Sequence, residues 1–233
     1  MKRHIPNAIT CCNLISGCIA TYHAFCGNHE WALWFVVLGA TFDFFDGMSA
    51  RLLNVSSPIG KELDSLADNV TFGLAPSAML FTLLRSMHLP EPWGGAMQDW
   101  LSYAVFLMAA FSALRLAKFN LDERQTSSFI GLPTPANALF WGSLVCSVSP
   151  WMADAPAYFA LVLMAMMLCS CWVLVAELPL FALKFKHWGW QGNEWRWTFI
   201  VSAALLIAAL GLPGIAAAIV WYVVLNLICR RRA

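Results

Sequence analysis

The sequence predicts an all-α, polytopic membrane helix bundle of about eight spans, on three observations. Hydrophobic residues make up 60% of the 233 positions and charged residues only 12%, against about 25% charged in an ordinary soluble domain. Apolar stretches near the length of a bilayer span, about 20 residues, recur at 8–26, 31–53, 67–86, 100–118, 134–150, 157–183, 197–211 and 213–229. With the N-terminus on the cytoplasmic side, every one of the 14 Lys and Arg except Arg85 falls at an inner end or inner loop, where cations are retained. This composition excludes a soluble globular domain, a disordered tail and a nucleic-acid binder. A net charge of +1 predicts no acidic or basic partner.

Taken in order, the first span follows Met1-Lys2-Arg3, and its polar Asn7, Thr10 and Asn13 mark it as retained, not as a cleaved signal peptide. The second carries Asp43 and Asp46 near its inner end, and the third is entered past Asp64 and Asp68. The fourth ends on Arg115 and Lys118. Gly131 to Pro135 breaks the chain before the fifth, with Thr134 read as its cap and Pro135 in its first turn. The sixth runs into Glu177 and Pro179. The last two meet at Gly211-Leu212-Pro213-Gly214 and form a tight hairpin. Even span number places both termini inside. Residues 1–183 read as one membrane domain, and 184–233 as an interfacial loop with a two-helix extension. Trp188, Trp190, Trp195 and Trp197 form an interfacial belt. Arg230 to Arg232 anchor the end of the chain to anionic lipid. The eight cysteines lack zinc spacing and read as small apolar residues.

Ionisable groups are costly in hydrocarbon, so they mark function. Asp43, Asp46, Gly47 and Ala50 stand at i, i+3, i+4 and i+7, one helical face, with Arg51 next. Gly60, Asp64 and Asp68 follow at four-residue steps after a turn with Pro58. Two antiparallel neighbours thus oppose pairs of carboxylates, which repel unless cations neutralise them. Hard oxygen ligands select Mg, Mn or Ca, and two-metal carboxylate sites clamp diphosphates. The small residues leave room for a nucleotide, and Arg51 can fork onto phosphate. A proton or cation pathway, as in an ion-coupled transporter, and carboxylates solvated at the surface are the other readings of the same residues.

Asp43-x-x-Asp46-Gly47-x-x-Ala50-Arg51, eight residues, then Gly60-x-x-x-Asp64-x-x-x-Asp68 resembles without a gap the signature of the CDP-alcohol phosphotransferases. The resemblance implies a six-helix membrane core in which an alcohol displaces CMP from a CDP-linked lipid. It implies a divalent metal, Mg or Mn and two ions, held by Asp43, Asp46, Asp64 and Asp68, with Asp68 also the general base. It further implies nucleotide contacts from Asp43, Asp46, Gly47, Ala50, Arg51 and Gly60, and a homodimer in a bacterial-type inner membrane with its site at the cytoplasmic face.

The acceptor is suggested by other blocks. Ile5-Pro6-Asn7-Ala8-Ile9-Thr10 with Asn13-Leu14-Ile15-Ser16-Gly17, Asn54 to Asp68, Phe72-Gly73-Leu74-Ala75-Pro76, Ala113-Leu114-Arg115-Leu116-Ala117-Lys118-Phe119-Asn120 and Phe129 to Pro135 resemble the membrane-integral phosphatidylserine synthases of that family. The likeness runs from about residue 5 to 140 and implies CDP-diacylglycerol and L-serine as substrates. Arg115, Lys118 and Asn120 are then the candidate acceptor contacts, an Arg being suited to the carboxylate of serine. Lys118 departs from the Arg usual in this block. Glycerol phosphate and inositol are the alternative acceptors.

Overall fold

The computed structural model describes residues 4–55, 57–122, 129–180 and 189–230. Lys2, Arg3, Arg124, Lys184, Lys186, Trp188, Arg231 and Arg232 lie outside them. The first two helices, α1 (His4–Phe25) and α2 (His29–Leu52), form an antiparallel hairpin turned at Gly27, whose φ of 75° is left-handed. Small residues are buried on both: Gly17, Ala20 and Ala24 of α1, and Ala32, Val36 and Gly39 of α2. Such residues let backbones approach where lipid supplies no hydrophobic drive.

The third rod begins earlier than hydropathy alone places it. Ser57 accepts the Gly60 N–H at 3.0 Å and Pro58 occupies the first turn, so α3 (Pro58–Asp68) starts well before residue 67. It runs through a π-helical segment (Asn69–Leu74) into α4 (Ala75–Arg85). The fourth span is two helices, α5 (Ala96–Ala104) and α6 (Leu107–Leu121), joined at Val105 and Phe106. Arg85, the one cation assigned to the far side, pairs with Asp99.

The fifth and sixth spans are α7 (Thr134–Met152) and α8 (Tyr158–Val175). Thr134 is not a cap: Pro133 holds that position and the Thr134 hydroxyl has no partner. Pro135 does sit in the first turn. α8 stops at Val175 and not near 183, because Ala176 is extended and Pro179 has no N–H to carry a helix on. A short antiparallel pair follows, β1 (Phe129–Ile130) against β2 (Pro179–Leu180). α9 (Glu194–Leu210) and α10 (Leu212–Arg230) are the expected hairpin, with Gly211 left-handed and Gly214 too close to the Leu206 carbonyl for any side chain.

Eight helical rods therefore stand among the described residues. The core between them centres on Trp141, Met79, Leu80, Leu83 and Met108, all fully inaccessible, and the Trp141 indole N–H donates to Ser170. Outward faces are equally apolar, with Trp34, Trp172 and Leu205 more than half exposed, the arrangement of a protein whose solvent is lipid. By length and composition α1, α2, α5–α6 and α8 each suffice to cross a bilayer. α10 packs on α7 and α9 on α10, while α9 buries no residue.

Candidate active site

The C-terminal halves of α2 and α3 bring the acidic residues together. One carboxylate oxygen each from Asp43, Asp64 and Asp68 lies within 4.8 Å of the others. At that separation each ionised pair repels by about 3–4 kcal/mol at an effective dielectric of about 20. Asp64 Oδ1 is buried without a hydrogen-bond partner. Three hard oxygens converging, with a buried unpartnered carboxylate oxygen on Asp64 beside them, fit a divalent cation, which would cancel the repulsion. Asp46 stands apart from that trio: it is buried, and its Oδ2 accepts the Thr10 hydroxyl at 2.6 Å.

Asp68 is held from behind. Asn13 donates its amide N–H to Asp68 Oδ1 at 3.0 Å, and the Thr71 hydroxyl donates to Asn13 Oδ1 at 2.8 Å, which fixes the amide the right way round. Thr71 lies in the π-helical segment, and it reaches Asn13 only because two glycines make way. A Cβ on Gly17 would come 2.3 Å from Thr71 Oγ1, and one on Gly39 would come 2.5 Å from Thr71 Cγ2. π-helical turns often sit at functional positions, where they re-aim side chains.

Beside the carboxylates a cavity of about 300 Å³ is lined by Asn7, Thr10, Asp46, Gly47, Ala50, Gly60, Lys61 and Asp64, among others. Gly47 opens onto free space, with nothing within 4 Å of where a Cβ would stand. Gly60 is confined instead, against Ser57 Oγ and Asn7 Oδ1. Arg51 is exposed at the end of α2, its Nε donating to the Gly47 carbonyl at 3.0 Å, and is not among the residues lining the cavity.

The α6 residues separate. Arg115 is buried, stacks its guanidinium 5.1 Å from the centre of the Phe119 ring and lies within electrostatic reach of Asp68. Lys118 is exposed. Asn120 donates its amide to Ser65 and accepts from Lys61 on its backbone carbonyl at 2.7 Å, so it tethers α6 to α3.

This geometry coincides with a family pattern over nearly the whole chain, since the family model described as CDP-alcohol phosphatidyltransferase matches residues 3–228. The chain belongs to the CDP-alcohol phosphatidyltransferase family. Three curated proteins it resembles share the name CDP-diacylglycerol--serine O-phosphatidyltransferase. The Bacillus subtilis protein is 41% identical over 132 residues, 57% of this chain and 70% of that one. That of Helicobacter pylori strain J99 is 36% identical over 137 residues, 58% and 54% of the two chains. The Saccharomyces cerevisiae protein is 38% identical over 125 residues, 49% and 41%. The chain thus spans 70% of the first relative and about half or less of the other two. As a member of a transferase family with an acidic cluster able to hold a divalent metal, the chain has the parts for phosphoryl-group chemistry at a membrane.

Lys61, Thr71, Gly17 and Gly39 are the site residues that sequence reasoning passed over. Lys61 sits in a charged stretch that reads as solvated. Thr71 stands seven residues after Asp64 and three after Asp68, a helical-face spacing that could have singled it out, but an uncharged threonine in that stretch drew no notice.

Proposed function

We propose that this chain transfers the phosphatidyl group of CDP-diacylglycerol to the hydroxyl of L-serine, yielding phosphatidylserine and CMP. The observation that carries the reading is the convergence of Asp43, Asp64 and Asp68 beside a cavity whose lining includes Gly47, Ala50 and Gly60. The names of the similar proteins support serine as the acceptor.

Asp43, Asp46, Asp64 and Asp68 would hold the metal, Mg or Mn and two ions in number. When bound, the metal neutralises the diphosphate and the charge on departing CMP. Asp43, Asp46, Gly47, Ala50 and Gly60 border the nucleotide, and Arg51 swings from the Gly47 carbonyl onto phosphate. The serine oxygen attacks the phosphorus that bears diacylglycerol. The new P–O bond forms as the bond to CMP breaks, and CMP leaves with that electron pair. Asp68 takes the hydroxyl proton, positioned for it by the Thr71-to-Asn13 relay. Arg115 receives the serine carboxylate, while Lys118 and Asn120 act at the rim, Asn120 by holding α6 to α3.

The chain works in a bacterial-type inner membrane as a homodimer, with its site and both termini cytoplasmic. Residues 1–183 form the catalytic part and 184–233 an extension, though the family match runs through both.

The test is CMP release and labelled-serine incorporation by the purified full chain with CDP-diacylglycerol and Mg or Mn. Serine-dependent CMP and labelled lipid are expected. Turnover with glycerol 3-phosphate or inositol but not serine overturns the acceptor. Metal-dependent flux in liposomes without CMP release overturns the transferase reading itself.

A further inference from the structure

Most buried polar side chains in this bundle find a partner, and most of those that do not sit on three elements that pack together beyond Asp68. Asn69 Oδ1, Ser112 Oγ, Arg115 Nε, Thr134 Oγ1 and both amide atoms of Asn137 are buried and have no hydrogen-bond partner among the described residues. Ser112, Thr134 and Asn137 are fully inaccessible. Native proteins leave few such atoms, so a group of them needs a reason.

Asn69 opens the π-helical segment immediately after Asp68. Ser112 and Arg115 stand one turn apart on α6, as Thr134 and Asn137 do on α7, and the π-helical segment packs against both helices. Asn69 Oδ1 and Ser112 Cβ lie 2.8 and 3.0 Å from one point, the place a Cβ would take on Gly73. Ala138, next to Asn137, belongs to one buried cluster with Phe72 of that segment and Ala75, the first residue of α4. None of the five side chains lines the cavity that holds Gly47 and Gly60.

We propose that Asn69, Ser112, Arg115, Thr134 and Asn137 form the acceptor subsite, and that their unmatched atoms are complementary to a small hydroxylated zwitterion. This rests on the proposed function and specifies its second substrate. The orphaned donors, Arg115 Nε and Asn137 Nδ2, suit a carboxylate. The orphaned acceptors, the side-chain carbonyls of Asn69 and Asn137, suit an ammonium. The Ser112 and Thr134 hydroxyls serve either. A phosphorylated acceptor calls for more than the one cation present, and a neutral polyol has no use for that cation. Thr134 and Asn137 are specificity residues here, where the sequence alone suggested only a cap.

The prediction has an unusual sign. Replacing an unpartnered buried polar group by an apolar isostere removes a desolvation cost instead of a bond. Thr134→Val and Asn137→Leu in the full-length protein are therefore expected to leave the ligand-free Tm unchanged or raised. The KM for serine rises at least about tenfold in each, the effect of one hydrogen bond to a charged group, while the KM for CDP-diacylglycerol stays within about twofold. A lower Tm with unchanged serine KM makes them ordinary packing residues and overturns the proposal, as does a parallel rise in both KM values. The unsubstituted protein gives an arm free of folding effects: ethanolamine, without the carboxylate, and 3-hydroxypropionate, without the ammonium, are each expected to be poorer acceptors than serine by about tenfold or more. Equal turnover of either overturns it. If the unsubstituted protein does not use serine at all, the proposed function fails and takes this inference with it. If serine is used and the variants keep its KM, the inference alone fails.

Discussion

The two ends of α2 each bury a polar cluster, and they are built on opposite principles. At its start His29 lies between α4 and α7: its Nε2 meets Thr82 Oγ1 and its Nδ1 meets Ser149 Oγ, both at 2.9 Å. Thr82 donates its own hydrogen to the carbonyls of Ala78 and Met79, so it accepts from His29, and Nδ1 is left to accept from Ser149. Both ring nitrogens are thereby used. About 21 Å further along the helix, Asp43 faces Asp64 and Asp68 with like charges converging and an oxygen unmatched. A polar group in a membrane bundle that closes on its neighbours ties helices together. One that stays open is waiting for something to bind.

Substitutions at the open end are expected to have the largest effects on turnover, and Asp68→Asn the largest of all. It keeps the shape and the Asn13 contact but removes the proton acceptor, so kcat falls by roughly 10²- to 10⁴-fold with Tm held, measured by CMP release and thermal unfolding. Retained turnover would take Asp68 out of the base role. Chelation with EDTA is expected to abolish activity, and added Mg or Mn to restore it; full activity in the chelator would dissociate the aspartates from any metal.

The next effects separate two kinds of glycine. Gly17→Val drives a side chain into Thr71, where even a Cβ lies 2.9 Å from its Cα and N, and should cost about 3 kcal/mol of stability or prevent folding. Gly47→Leu projects into open cavity instead. Its Tm should hold while the KM for CDP-diacylglycerol rises about tenfold or more. A Gly47→Leu protein with normal donor KM would show that the cavity is not the nucleotide site.

Much of this was legible before any coordinates. Eight apolar runs became eight rods, and the i, i+3, i+4, i+7 spacing of Asp43 to Ala50 put those residues on the face that the fold turns inward. Thr10 and Asn13, out of place in an apolar helix, do touch Asp46 and Asp68. What periodicity did not show was the π-helical turn that follows Asp68 and carries Thr71, although Thr71 keeps helical-face spacing from Asp64 and Asp68 in the sequence. Hydropathy also misplaced the start of the third rod, since α3 is too polar to register as a span although Ser57 and Pro58 announce a helix. Nor can a sequence display an unsatisfied atom. Asn120 looked like a ligand contact and is tied to Ser65, whereas Asn137 drew no notice and its side chain has no hydrogen-bond partner among the described residues.

The closed end supplies the smallest effect and the sharpest control. His29→Leu deletes both hydrogen bonds of the ring, yet neither partner is stranded. Thr82 already donates to its own helix, and Ser149, within α7, can turn its hydroxyl to a carbonyl one turn back as Ser143 and Ser147 do. The apolar replacement also suits the surrounding core of Leu33, Met79 and Leu83. The expected loss is therefore about 1 kcal/mol, visible as a small fall in Tm, with kcat and both KM values unchanged per folded molecule. A kinetic defect of the size predicted for Gly47→Leu would mean that the two ends of α2 communicate, and that the cluster at His29 is not merely a tie between helices.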